Sequence, residues 1–113
     1  MSQGAVTEIR PEVLAMMTEY LPPLRGLPDA RARGAACVWN GEALTAETAV
    51  DLGERVSCGT TLFLRGCYEC TGLRAYRAML DHGSQCPLCA SESTAPDCTV
   101  GRGLYRLQRE CRR

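Results

Sequence analysis

With 113 residues and zero formal charge, the chain has room for one small domain. Its balanced charge excludes binding nucleic acid as a polyelectrolyte, leaving only a local patch for that role. One Phe, one Trp and one Ile make for a core poor in large side chains. All 13 basic residues are Arg, which reads as the coding bias of a GC-rich genome and not as a functional signal.

The first ten residues include Glu8 and Arg10 and show no signal-peptide core, and no apolar run is long enough to cross a bilayer. The expected location is therefore cytoplasmic, where thiols stay reduced. The eight cysteines are accordingly expected to hold metal in preference to forming disulfides.

In chain order, Val13, Leu14, Met17 and Leu21 recur at helical spacing behind Pro11, predicting a helix that ends before Pro22-Pro23. Residues 21–34, with three prolines and two glycines, read as an extended linker, and Arg31 and Arg33 as part of a solvated loop. Residues 35–66 predict two or three short strands, with Thr48, Val50 and Leu52 on one face, a turn at Gly53-Glu54, and Thr61 to Leu64 as a later strand. A helix is expected from Cys70 to Gly83, with Leu73, Tyr76 and Leu80 as its apolar stripe and Arg77 pairing with Asp81. The last predicted element runs from Thr99 to Arg113. Val100, Leu104, Leu107 and Cys111 line one of its faces and Arg102, Arg106, Arg109 and Arg113 another, while Gly101 and Gly103 weaken its first turn. The chain thus divides into a helix and linker (1–36), a zinc-binding core (37–98) and a C-terminal amphipathic helix (99–113).

Cys67-Tyr-Glu-Cys70 and Cys86-Pro-Leu-Cys89 stand fifteen residues apart. That spacing is common in four-cysteine zinc sites, because two tight turns of thiolates can enclose one tetrahedral ion. The helix expected between the pairs argues against a single site, since about twelve helical residues span roughly 18 Å. Two zinc ions are expected, with one as the alternative. Cys37, in Cys37-Val-Trp-Asn40-Gly41, joins Cys67 and Cys70, and Cys58 is either their fourth ligand or a plain buried thiol. His82, Cys86, Cys89 and Cys98 form the second set, and Cys111 is read as packing.

Knuckle, hairpin and ligand-bearing helix over residues 37 to about 82 resemble a treble-clef zinc finger. Asn40 departs from that pattern where a second knuckle Cys would stand. His82-Gly-Ser-Gln-Cys86-Pro-Leu-Cys89 resembles the His-x3-Cys-x2-Cys motif of zinc-binding anti-sigma factors, though Ala90 to Pro96 is unsuited to the helix those proteins place after it. Cys37-Val-Trp, Thr48-Ala-Val-Asp-Leu-Gly53 and Arg65-Gly-Cys67 are similar to small actinobacterial cysteine-rich proteins, a resemblance that implies no activity.

The expected fold is a small zinc-stabilised α+β arrangement. No His-Glu-x-x-His, no His-x-Glu ahead of Pro-Cys-x-x-Cys and no phosphate-cradling glycine loop is present, so the chain is read as a non-enzyme. The leading expectation is a regulatory module that binds another protein. One alternative is a nucleic-acid-binding regulator using the C-terminal Arg stripe, and the other is a redox sensor that releases zinc when Cys86 and Cys89 are oxidised.

Overall fold

The computed structural model describes residues 8–112. It is a small α+β fold in which one antiparallel hairpin, β1 (Ala49–Ser57) and β2 (Thr60–Cys67), packs with helices α1 (Pro11–Met17), α3 (Tyr68–Gly83) and α4 (Thr99–Glu110). A short α2 (Asp29–Ala32) interrupts the segment between α1 and the hairpin. No described helix is long and apolar enough to cross a membrane.

α1 starts on Pro11, whose missing N–H costs nothing in the first helical turn, and tightens into a 3-10 turn over Thr18–Tyr20 before Leu21 turns extended. Val13 and Met17 are buried in one core with Leu52, Leu62, Leu64 and Leu104. The linker contributes to this core through Leu21, Leu24 and Leu27; Arg31 lies within α2, reaching the Trp39 carbonyl at 3.4 Å instead of standing in a solvated loop, and Arg33 just after it pairs with Asp29 at 3.0 Å. The segment read as an extended linker is therefore packed down by its leucines.

The hairpin follows its alternating pattern, with Val50, Leu52, Leu62 and Leu64 facing inward. Its turn is not at Gly53-Glu54. The register shifts between Asp51 and Glu54, so that two residues of β1 oppose one of β2, and Gly53 takes φ +88° with its N–H held by the Asp51 carboxylate at 2.9 Å. The glycine makes a β-bulge and the strand continues. The reversal comes at Cys58-Gly59, both with positive φ, as a tight two-residue hairpin turn requires.

The face of α3 is a second departure. Leu73, Tyr76 and Leu80 were expected to be core, yet they are 60%, 47% and 53% exposed, while Cys70, Thr71, Ala75 and Ala78 are buried. Small side chains let neighbours approach the helix closely. α4 lies against it with Leu104, Leu107 and Cys111, and a Cβ on Gly72 would sit 3.0 Å from that of Cys111. Asp81 is engaged by the Tyr20 hydroxyl, which donates to it across 61 residues, in place of the expected ion pair with Arg77.

α4 keeps the expected stripe of Leu104, Leu107 and Cys111, with Val100 partly buried beside it. Its two glycines, read as weaknesses, are both at close approaches. A Cβ on Gly103 would collide with Cγ2 of Val13, and one on Gly101 would lie 3.0 Å from the Cys89 sulfur.

Two candidate metal centres

The first centre begins at the knuckle. The Cys37 N–H donates to the Glu42 carbonyl at 2.8 Å and the Gly41 N–H to the Cys37 carbonyl at 2.9 Å, with Gly41 at φ +78° closing the turn. The Val38 N–H reaches the Arg65 carbonyl at 2.8 Å, tying the knuckle to β2. Trp39 locks the arrangement. Its indole N–H donates to the Tyr20 carbonyl at 2.8 Å, the Arg74 guanidinium lies 5.1 Å over its ring, and Gly66 leaves room for the ring edge, which a Cβ there would approach to 2.6 Å.

Cys67 ends β2 and caps α3, its sulfur accepting the Cys70 N–H at 3.3 Å. The Sγ atoms of Cys37, Cys67 and Cys70 lie within 4.8 Å of one another, and the three residues are 0%, 6% and 8% exposed. Asn40 is not arranged as a ligand. Its carboxamide oxygen accepts the Glu42 N–H at 2.9 Å, while its NH2 group faces the Cys67 sulfur at 3.8 Å.

The second centre brings together His82 from the last turn of α3, Cys86 and Cys89 from the turn that follows, and Cys98, again with all ligand atoms within 4.8 Å. The chain reverses after α3 because the Gln85 and Cys86 N–H groups both close onto the His82 carbonyl, at 3.0 and 2.9 Å. Cys98 caps α4 as Cys67 caps α3, its sulfur accepting the Gly101 N–H at 3.3 Å. His82 Nε2 is 3.2 Å from the Cys98 sulfur, and the Cys86 and Cys98 sulfurs are 3.8 Å apart.

The split expected from the helix length is thus what the fold provides. α3 has 16 residues, about 24 Å of rise, and it holds one Cys pair at each end. Two groups of donors capable of holding metal ions result. Cys58 joins neither group, because the hairpin turn puts it at an exposed tip with φ +52°. Cys111 is buried in the core against Gly72, as its place on the α4 stripe suggested. Sequence reasoning missed two supporting features, the capping role of Cys98 and the need for Gly101. The Cys98-x-x-Gly101 spacing at a helix start was the available signal.

Each sulfur cluster holds protons unevenly. Burial opposes ionisation of Cys37, but hydrogen bonds from backbone groups of Asn40, Cys67 and Trp39 outweigh it and set the thiol below its ordinary value. Burial, reinforced by the neighbouring thiols, pushes Cys70 up to about 12. At the second centre the Cys89 backbone N–H leads in lowering Cys86, while burial and the sulfurs of Cys98 and Cys86 push Cys89 up to about 11. Both raised thiols carry protons near neutral pH and must lose them to bind a cation. Metal binding is therefore expected to release protons, and affinity at both centres to fall as pH falls. Titrating a divalent ion into the metal-free protein in weakly buffered indicator dye should acidify the solution, and no acidification would contradict this assignment.

The described arginines of the stripe are engaged within the fold. Arg106 pairs with Glu110 at 3.1 Å, Arg102 reaches the Pro96 carbonyl at 3.4 Å, and Arg109 lies 5.8 Å over the Tyr105 ring. Arg10 lines the same groove of about 360 Å³ as these three arginines. Arg113 lies outside the described residues.

Comparison with protein-family models, with curated proteins and with solved structures gives no match to this chain.

Proposed function

We propose that the chain is a non-catalytic zinc-stabilised module, regulatory in role, that binds another protein through the outer face of α3. The donor chemistry supports zinc. Sulfurs around a tetrahedral zinc at about 2.3 Å stand roughly 3.8 Å apart, and the Cys86 and Cys98 sulfurs are 3.8 Å apart. Three thiolates and one imidazole at the second centre form a closed structural set. A knuckle, a hairpin and a helix starting on two ligands support a treble-clef reading of the first.

The observation that carries the binding role is the exposed stripe of Leu73, Tyr76 and Leu80. Leu73 and Tyr76 also border a cleft of about 730 Å³ that reaches Cys67, Tyr68 and Gln108. A helix that turns small residues inward and large apolar ones outward spends hydrophobic surface on water unless a partner covers it. An apolar helical or extended segment of another protein fits this stripe and cleft.

The test uses the full chain with Leu73→Asp and Leu80→Asp together. Folding stability should change by no more than about 0.5 kcal/mol per site, as for surface positions. A partner that binds the parent protein saturably should bind the variant at least roughly tenfold more weakly, the loss of a contact worth about 1.4 kcal/mol. Equal binding by parent and variant, or a parent protein that stays monomeric and binds no protein in its native lysate, would overturn the reading.

The groove shared by Arg10, Arg102, Arg106 and Arg109 supports a second reading, nucleic-acid binding through phosphate contacts. In a shift assay with DNA and RNA, binding on this reading weakens steeply with added salt and is reduced by Arg102→Ala and Arg109→Ala. Absent or salt-independent binding removes it.

A further inference from the structure

The two centres differ in one ligand, and the difference has a chemical consequence. At the second centre the chain supplies three thiolates and an imidazole; at the first it supplies Cys37, Cys67 and Cys70. The remaining soft donors are committed elsewhere. The single His and three further Cys build the second centre, Cys58 is at the hairpin tip, and Cys111 is in the core against Gly72. Among the described residues no carboxylate joins the first group within 4.8 Å, and residues 1–7 and 113 contain no Cys, His, Asp or Glu.

Asn40 stands beside this group without offering it a donor atom. The atom of a carboxamide that binds metals is its oxygen, and here that oxygen accepts the Glu42 N–H, leaving the NH2 group toward the Cys67 sulfur. Such an N–H steadies a thiolate without coordinating the ion. The three cysteines are buried, whereas Asn40 is exposed and Cys67 borders the cleft of about 730 Å³, by which an outside donor can approach the group.

The charge selects what can bind there. A dication with three thiolates carries one net negative charge, which the N-terminus of α3 offsets by lying at Cys67 and Cys70. A fourth anion would double that charge in a buried site beside a cleft lined by Glu42 and Glu69. A neutral nitrogen donor leaves it unchanged, as His82 does at the second centre.

The geometry points to a metal at Cys37, Cys67 and Cys70 that takes its fourth ligand from outside the chain, a histidine imidazole of the bound protein. This rests on the zinc-stabilised, protein-binding reading and gives that surface a coordinating anchor. Asn40 then keeps the centre open, where a cysteine at the same position would close it.

The full chain loaded with Co(II) and titrated with imidazole tests the idea through the visible ligand-field bands. The parent protein should bind two cobalt ions, and its spectrum should shift saturably as imidazole joins the three-thiolate centre. In Asn40→Cys a thiolate held by the chain itself fills the fourth position, and the spectrum should not respond to imidazole. An unchanged parent spectrum at saturating imidazole, a single bound cobalt, or an equal response in Asn40→Cys would each overturn the proposal. An imidazole response in a chain that captures no protein partner would retain the open centre and overturn the proposal that a partner's histidine fills it. Partner binding without an imidazole response would leave the module reading standing and discard this one.

Discussion

Stripping the metals with a chelator is expected to unfold the chain, and Cys67→Ser and Cys86→Ser are each expected to lose one of two zinc ions while retaining the other. The magnitude follows from the small core. A structural zinc contributes an apparent binding free energy of about 10 to 16 kcal/mol at neutral pH. An entire domain is typically stable by only about 5 to 15 kcal/mol. Loss of both ions therefore removes more than the whole margin, whereas a variant that keeps one ion keeps the stabilisation that ion supplies. Elemental analysis of the parent and both variants, with far-ultraviolet circular dichroism before and after chelation, provides the measurement. One zinc per parent chain, or both ions lost in each variant, would sink the two-centre arrangement. The far-ultraviolet signal surviving chelation unchanged would sink the structural role.

Gly103→Ala is expected to destabilise the protein by about 1 to 3 kcal/mol, the usual cost of forcing a methyl group into a packed interior. Helix propensity alone predicts the opposite, since Ala in place of Gly inside a helix stabilises by about 1 kcal/mol. The reversal comes from α1. A Cβ at position 103 would run into Cγ2 of Val13, which is 1% exposed. Val in a helix has one strongly preferred rotamer, so the methyl cannot readily swing aside, and α1 and α4 must move apart. Urea denaturation of the metal-loaded protein decides the matter, and a higher midpoint for the variant would mean that the two helices are not in close contact. Gly101→Val is a related case with a different readout. It crowds the Cys89 and Cys98 sulfurs, 3.0 and 3.6 Å from the position of its Cβ, and should weaken the second metal while leaving the first bound.

Much of the candidate site was legible because metal ligands are sparse and chemically distinctive. Cys pairs at two-residue spacing mark tight turns, and a helix of known rise between them separates them in space. That arithmetic separated the two Cys pairs; Cys37 joined the first through its knuckle, and His82 and Cys98 joined the second through their positions at the helix end and after the loop, while Cys58 was misplaced. Its placement depended on where the hairpin reverses, and two glycines competed for that turn. Gly53 became the bulge because the Asp51 carboxylate can hold its N–H, and Gly59 took the reversal together with Cys58.

The orientation of α3 was beyond local reading for a different reason. Periodicity reports which residues share a face, and both Leu73, Tyr76, Leu80 and Thr71, Ala75, Ala78 form consistent stripes. The larger apolar stripe normally faces inward. Here α4 and the hairpin approach too closely for leucines, so the small stripe turns inward and the large one is left outside.

Ligand spacing, alternation and helical period are local properties, and they made legible the α+β class, the presence of the long helices and, apart from Cys58, the two groups of metal donors. Only the packed fold shows which face of α3 meets solvent, why α4 carries Gly101 and Gly103, and that Cys58 stays apart from the Cys37, Cys67 and Cys70 group. Each of these depends on the distance between elements far apart in the chain, and that distance is set by packing.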